Sequence, residues 1–331
     1  MNQRREALVR LLADGREHSG EALARQLNIS RAAVWKHVRT LAELGLAVHS
    51  TPGRGYQLDR SLDLLDTDLL SRSLGVAADV PFRSIRICFD APSTNSELLA
   101  AGPPPPGLMD LCVAEHQSSG RGRRGRNWLA PLASGLCLSV SWSFTGFSGQ
   151  IAALSLVVGV ATAMALESLN IPGVMLKWPN DLWVNDRKLG GILVEMRAEA
   201  AGSAFVVIGI GLNVDLPAAV RTAILQEGVP AIDLREVWSN PGTSRTLLAA
   251  RIVSQLLGAL RQFGDAGFEP FRSEWRRRDA LIGRSVAVQH ADGRILGTAR
   301  GIADDGALLV ATASGVERLL SGDVSVRVSG T

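Results

Sequence analysis

The sequence predicts an α+β chain in three parts, and three observations predict it. Helical periodicity with polar caps fills the first sixty residues and ends in a short hairpin; apolar strands and helices mix through the middle; five short alternating runs follow Gly283. The boundaries implied are 1–62, 63–280 and 281–331. With 331 residues, 46% apolar and 20% charged, the chain has material for several cores, which excludes a disordered protein.

Residues 4–13 carry Leu8, Leu11 and Leu12 on one helical face, and Ser19 caps a second helix with Leu23 and Leu27 inward. Asn28-Ile29 turns the chain to Ser30, a second cap, and a third helix follows with Val34, Val38, Leu41 and Leu44 inward until Gly45 stops it. Its opposite face shows Arg31, Trp35, Lys36 and Arg39. Strands at 47–50 and 56–58 then flank Thr51–Gly55, a hairpin with Arg54 at its tip. This is the pattern of a winged helix-turn-helix, with the third helix offered to the major groove and the wing to the backbone or minor groove. Charge agrees: residues 1–60 hold ten Lys/Arg against six Asp/Glu, whereas 61–331 hold twenty-five against twenty-six. The excess positive charge lies in this part alone and implies a polyanion there. The candidate DNA contacts are Ser30, Arg31, Trp35, Lys36, Arg39 and Arg54; the competing reading is a three-helix interaction module whose basic face is merely solvated. One such module binds DNA at roughly 10⁻⁴ to 10⁻⁶ M, so specificity calls for a dimer on a two-fold site.

Asp59–Asp68 leads into a helix, and a strand at 85–89 precedes Ser93-Thr94-Asn95, where Thr94 and Glu97 have the spacing of a capping box. Four consecutive prolines lie between Gly102 and Gly107. Residues 151–169 form an apolar, alanine-rich helix; 174–184 a hairpin that continues through Lys188 to Met196; 205–213 a buried strand; 246–263 and 268–278 helices. The final runs, at 285–289, 295–302, 307–312, 316–320 and 324–328, suggest a small antiparallel barrel. Cys88, Cys112 and Cys137 sit among apolar neighbours without metal spacing and read as buried, inert thiols of a cytosolic protein. No signal peptide is evident, and charges interrupt every helix-like stretch, so no membrane partner is expected.

The densest chemical signal is Gly120–Trp128. Arg121, Arg123, Arg124 and Arg126 alternate with Gly120, Gly122 and Gly125 between two apolar strands, 111–114 and 135–142. Glycines let a small anion approach the backbone while guanidinium groups supply charged donors. A solvated loop, a nuclear-type basic patch and an RNA-binding Arg/Gly segment compete, but such segments repeat in disordered surroundings and this one occurs once, between strands. Only three of the 35 basic residues are Lys: Lys36, Lys177 and Lys188. Two ammonium groups in one hairpin region suggest places where a guanidinium fork would not fit, against the alternative of snorkelling strand residues. Gly209 and Gly211 inside a strand mark a close approach, which a ligand could make.

A cationic loop, two ammonium groups, Asp181 and a run of neutral hydrogen-bonders suit the condensation of a carboxylate with a nucleotide α-phosphate, with Mg²⁺ helping to neutralise two anions. A Ser/His/Asp or Cys/His nucleophile is not indicated, since His18, His37, His49, His116 and His290 fall in the DNA module or outside motifs, and no protein metal cage is visible.

These segments, namely Ser93–Asn95, Gly120–Trp128, Lys177–Asp181, Lys188–Glu195 and Gly209–Asn213, closely resemble the biotin protein ligases, and the module in front makes the chain similar to the bifunctional type that also represses the biotin operon. The resemblance implies a synthetase-like middle domain and an SH3-like barrel. It implies a reaction in which biotin and Mg·ATP give biotinyl-5′-adenylate, whose acyl group passes to a lysine of a biotin carboxyl carrier protein of acetyl-CoA carboxylase. By motif, Ser93, Thr94, Asn95, Gln117, Arg121, Gly122, Arg123 and Lys188 would hold biotin. Arg121, Arg123, Arg126, Trp128, Asn180, Lys188 and Asn213 would hold ATP or adenylate, and Lys177, Asp181 and Arg123 would serve catalysis, the split between Lys177 and Asp181 being open. Operator DNA and a homodimer promoted by the adenylate are the implied partners. Gly190-Gly191 stands where the motif often has one glycine. The alternatives are a non-catalytic regulator that senses biotin, a ligase with a vestigial DNA module, and a lipoate ligase, whose chain-like substrate needs no ureido-binding polar run.

Overall fold

The computed structural model describes residues 3–77, 82–145, 151–198, 203–226, 228, 230–238, 243–290, 293–320 and 325–328. Helices α1 (Gln3–Leu12), α2 (Gly20–Gln26) and α3 (Arg31–Arg39) are followed by the antiparallel pair β1 (Val48–Thr51) and β2 (Gly55–Leu58), with Val48 facing Leu58. Ser19 and Ser30 cap α2 and α3, accepting from the Ala22 and Ala33 N–H groups at 3.1 and 3.2 Å. Each such cap stabilises its helix by about 1 kcal/mol. Gly45 ends the final turn with φ 77°, the left-handed conformation that glycine adopts without a steric penalty. Leu8, Leu12, Leu23, Val34, Leu41 and Leu58 form the core, and truncating Leu41 to Ala would cost about 2–5 kcal/mol.

This core extends to Phe89, Leu132 and Ala133 of the middle part, and Leu132 N–H donates to Leu44 O at 3.0 Å. The connecting segment is pinned by Arg245, which is buried and donates to Asp63 O, to Gly135 O at 2.9 Å and to the buried carboxylate of Glu115. Removing either partner of that ion pair would strand a charge out of water, so the winged helix is held by a buried tether.

After α4 (Thr67–Ala77), the middle part is built on seven strands: β3 (Phe82–Cys88), β4 (Met109–Ala114), β5 (Gly135–Phe144), β6 (Met175–Lys177), β7 (Asp181–Val184), β8 (Arg187–Ala198) and β9 (Ala204–Asn213). They lie in the order β3-β4-β5-β9-β8-β7-β6, with β3 and β4 parallel and the other neighbours antiparallel, a mixed sheet. The two-residue period of β5 divides its faces. Leu136, Leu138 and Val140 pack into the main core with α6 (Leu154–Ser168) and α9 (Arg245–Ala266), while Cys137, Ser139 and Ser141 point the other way. On that second face α5 (Thr94–Ala101) covers part of the sheet through Leu98, Cys112, Phe205 and Val207. Around Cys137, Gly209 and Gly211 the face lines a cavity. The short helices α7 (Ala218–Gln226) and α8 (Leu234–Val237) follow β9, and α10 (Arg272–Arg278) follows α9.

Strands β10 (Ser285–His290), β11 (Gly293–Ile302), β12 (Leu308–Thr312), β13 (Gly315–Leu319) and β14 (Ser325–Val328) pair antiparallel in the order β13-β12-β11-β10-β14. The described pairings thus make a five-stranded sheet, without a pairing that closes an SH3-like barrel. The buried Trp178 indole donates to Gly306 O at 3.0 Å and ties this sheet to the β6–β7 turn.

Three expectations change. The interruption of every helix-like stretch by charge fails at Ile151–Ser168, whose 18 residues have mean hydropathy 1.8; it is 67% buried, as the core helix of a folded domain is. The Thr94/Glu97 capping box does not form: Ser93 is the N-cap and has no side-chain cap bond, because Thr94 is engaged elsewhere and Glu97 lies 3.6 Å from Arg86. Cys88 is only half-buried, with its Sγ 3.9 Å from that of Cys112, whereas burial pushes Cys137 up to about 12 and keeps it a thiol.

Candidate functional site

The neutral end of the site grows out of α5 and β5. Thr94 N–H donates to Gln117 Oε1 at 2.8 Å, and Ser139 Oγ lies 2.6 Å from both Thr94 Oγ1 and Asn95 Oδ1. Asn95 Nδ2 donates to Glu195 Oε2 at 2.7 Å. Ser93, Thr94, Asn95 and Ser139 are all buried. The paired groups of Thr94, Asn95 and Ser139 hold one geometry, which suits recognition of an uncharged polar ring. The strand glycines make room for two of the lining side chains: a Cβ on Gly209 would collide with the Asn95 side chain, and one on Gly211 with the Trp128 indole. Protein side chains thus make the close approach expected of a ligand.

Glu195 links this network to the arginine loop, accepting from Arg121 at 3.2 Å. The loop is closed by backbone bonds, Gly122 N–H to Arg126 O at 2.7 Å and Trp128 N–H to Gly120 O at 2.9 Å, and Arg124 takes a left-handed φ of 58°. Its residues 124–127 are exposed. Arg123 reaches Asn180 Oδ1 at 3.5 Å, and Asn180 itself is fixed by donating to Ile192 O at 2.7 Å.

The charged end comes from the β6–β7–β8 hairpins. Lys177 and Asp181 face each other across β6 and β7, yet Asp181 Oδ1 pairs with Lys188 Nζ at 2.7 Å. Lys188 lies 5.9 Å from the Trp128 ring centre and Lys177 4.4 Å from that of Trp183. Burial lowers the Lys177 ammonium to about 8, against the opposing pull of Asp181. The Trp183 indole N–H is buried without an acceptor among the described residues. Asn213 donates to Lys188 O at 3.2 Å and Ile232 O at 3.0 Å, which occupies both its N–H groups and leaves only Oδ1 for a ligand.

All the predicted biotin and nucleotide residues line one cavity of about 460 Å³. So do residues the sequence did not single out: Trp183, Asp186, Leu225 and Pro230, and from the last sheet Arg284, Val326, Arg327 and Val328. Ser139 and Glu195 had a legible signal, polar side chains at alternate positions of otherwise apolar strands. Arg284 and Arg327 had none, since they reach the cavity by packing across about a hundred residues of sequence.

The Biotin/lipoate A/B protein ligase family matches residues 93–213, an HTH domain residues 4–57, and the Biotin protein ligase C terminal domain residues 281–327. Over 323 residues the chain is 39% identical to the Bifunctional ligase/repressor BirA of Salmonella typhimurium, covering 97% of this chain and 96% of that protein. The chain belongs to the BirA family of bifunctional ligase/repressors. The Escherichia coli relative is 38% identical over the same share of each chain. Among solved structures, the biotin protein ligase from Aquifex aeolicus in complex with biotin and ATP superposes with TM-score 0.61 and 26% identity, covering 75% of this chain and 100% of that one.

The other half of a BirA-type chain is the winged helix. Arg31, Trp35, Lys36 and Arg39 are exposed on α3, Ser30 is used as its cap, and Arg54 is exposed on the wing, 3.7 Å from Glu17. Trp35 is 48% exposed, and the Arg39 guanidinium stacks 4.8 Å from its ring centre. A large exposed aromatic with a stacked cation is unusual on a solvated face and fits contact with nucleic acid.

Proposed function

We propose that this chain is an ATP-dependent biotin ligase acting on a biotin carboxyl carrier protein, and a DNA-binding repressor that uses biotinyl-5′-adenylate as its corepressor. The observation that carries the ligase is the joining, in one cavity, of a buried neutral network and a cationic loop with an aromatic wall. Ser93, Thr94, Asn95 and Gln117 bind the uncharged ureido ring. Arg121, Gly122 and Arg123 close over the carboxylate and the adenylate phosphate, with Lys188 and Arg126 adding positive charge. Trp128 covers the adenine, and Asn180 and Asn213 fix the segments around the nucleotide.

A carboxylate oxygen of biotin attacks the α-phosphorus, the bridging P–O bond breaks, and its electron pair leaves with pyrophosphate; Lys177 and Arg123 stabilise the negative charge as it shifts. A carrier lysine amine then displaces AMP from the mixed anhydride, with Asp181 holding Lys188 in place. Mg²⁺ bound to ATP would supply further charge neutralisation to the phosphates. The carboxylates that line the cavity, Asp181 and Asp186, are each paired with a cation, which fits an ion that keeps phosphate and water ligands. The proposed units are 1–62 for operator DNA, 63–280 for catalysis and 281–331 as the closing sheet. We further propose a cytoplasmic protein whose dimer forms on binding adenylate, because ordering the exposed loop would create new surface.

The test is biotin-dependent exchange of labelled pyrophosphate into ATP, with lipoate as control acid. Exchange with biotin alone supports the ligase; biotin binding without exchange would leave a sensor-only regulator.

A further inference from the structure

Asp186 and Arg284 form an ion pair at 2.7 Å between the β7–β8 turn and the residue that enters β10. Both line the cavity and both remain partly exposed, 59% and 39%, so they stand at its rim. Asp186 is held there by the backbone: it and Asn185 take left-handed φ values of 58° and 49°, which turns the hairpin tightly. Across the β10–β14 pairing, Arg327 stands opposite Ala287 and lies close enough to Lys177 to weaken its hold on a proton. The lining includes apolar Trp128, Leu225, Pro230 and Ala231, suited to a base, and the cations Lys177, Arg126, Arg284 and Arg327.

We propose that Arg284 binds the β- and γ-phosphates of ATP and the departing pyrophosphate, and that the Asp186 carboxylate occupies its guanidinium until the phosphates arrive. This rests on the adenylating reading above and extends it to the leaving group. A carboxylate and a phosphate present the same pair of oxygens to a guanidinium fork, so one can replace the other without a new geometry. The polyphosphate, with more negative charge than a single carboxylate, wins the exchange. An exposed pair of this kind contributes little to stability, so giving it up costs the protein little. Because the adenylate keeps only the α-phosphate, Arg284 serves the first half-reaction and not the second.

The experiment compares the parent with Arg284→Ala, Arg284→Lys and Asp186→Asn in two assays. One is biotin-dependent exchange of pyrophosphate into ATP, with KM measured for each; the other is single-turnover transfer from supplied biotinyl-5′-adenylate to the carrier protein. Arg284→Ala should raise both KM values about 10- to 100-fold, as loss of a charge-assisted contact does, and leave transfer unchanged. Arg284→Lys should fall between the two, keeping the charge without the fork. Asp186→Asn should lower the KM for pyrophosphate, since the competing carboxylate is gone. Exchange by Arg284→Ala at parental KM values overturns the proposal, as does a parallel fall in exchange and transfer, or an Asp186→Asn variant that behaves like Arg284→Ala. A parent that exchanges no pyrophosphate at all would instead sink the ligase reading beneath it.

Discussion

The two ends of the cavity are built on opposite principles. At the neutral end Thr94, Asn95 and Ser139 have protein partners before any ligand arrives: Ser139 sits against Thr94 and Asn95, Thr94 against Gln117, and Asn95 against Glu195. At the charged end the arginine loop is exposed from 124 to 127, held by its own backbone bonds and by the reach of Arg121 and Arg123 to Glu195 and Asn180. The difference follows from what each end binds. A neutral polar ring gains most from donors fixed in advance, whereas buried cations without a counter-ion would be strongly destabilised, so the loop stays in water until an anion neutralises it.

The sharpest way to break this comparison is Arg123→Gly. It should weaken the hold on the biotin carboxylate and release the adenylate, cutting the rate of carrier biotinylation by about 10² to 10³ and labelling bystander lysines instead. Retention of adenylate at the parental level, measured by filtration of the complex, would remove the loop from its assigned role. Ser139→Val probes the other end. Taking the Ser139 partner from Thr94 Oγ1 and Asn95 Oδ1 costs about 1–3 kcal/mol, so the KM for biotin should rise roughly 10- to 100-fold while the KM for ATP holds. If the two constants move together, the neutral end is not separate.

Lys177 gives a pH signature. Its ammonium is present below about pH 8 and lost above, so kcat/KM for ATP should fall as pH rises through about 8, and Lys177→Arg should abolish that fall. The stability sign is opposite: burial depresses the folded pKa below the ordinary 10.5, the unfolded chain binds the extra proton, and stability rises with pH between the two values. A flat profile for the parent would separate Lys177 from the anion. The smallest effect lies furthest away, in the winged helix. Arg39→Ala should reduce the slope of log binding constant against log salt by about 1, and an unchanged slope would deny Arg39 a phosphate contact.

Much of this was legible in the sequence, because periodicity and capping are local. The leucine spacing of the first three helices and the caps Ser19 and Ser30 needed nothing beyond their own segments. Thr94 shows the limit. Its spacing to Glu97 satisfies the capping rule, but tertiary partners, Gln117 and Ser139, take its hydroxyl first. Helix 151–168 was legible as a helix, while its single charge, Glu167, misled the claim that charges break every apolar run. Arg284 and Asp186 meet only because the last sheet packs on the hairpin, and no spacing rule within either segment carries that contact.

Amide hydrogen exchange, with and without biotinyl-5′-adenylate, tests the contrast between the two ends most directly. Residues 120–128 should exchange readily in the free protein and become strongly protected in the complex, while 94–101 and 135–144 are protected in both. Equal protection gains at the two ends, or a loop already protected when empty, would contradict the division between a prebuilt neutral end and a charged end completed by its ligand.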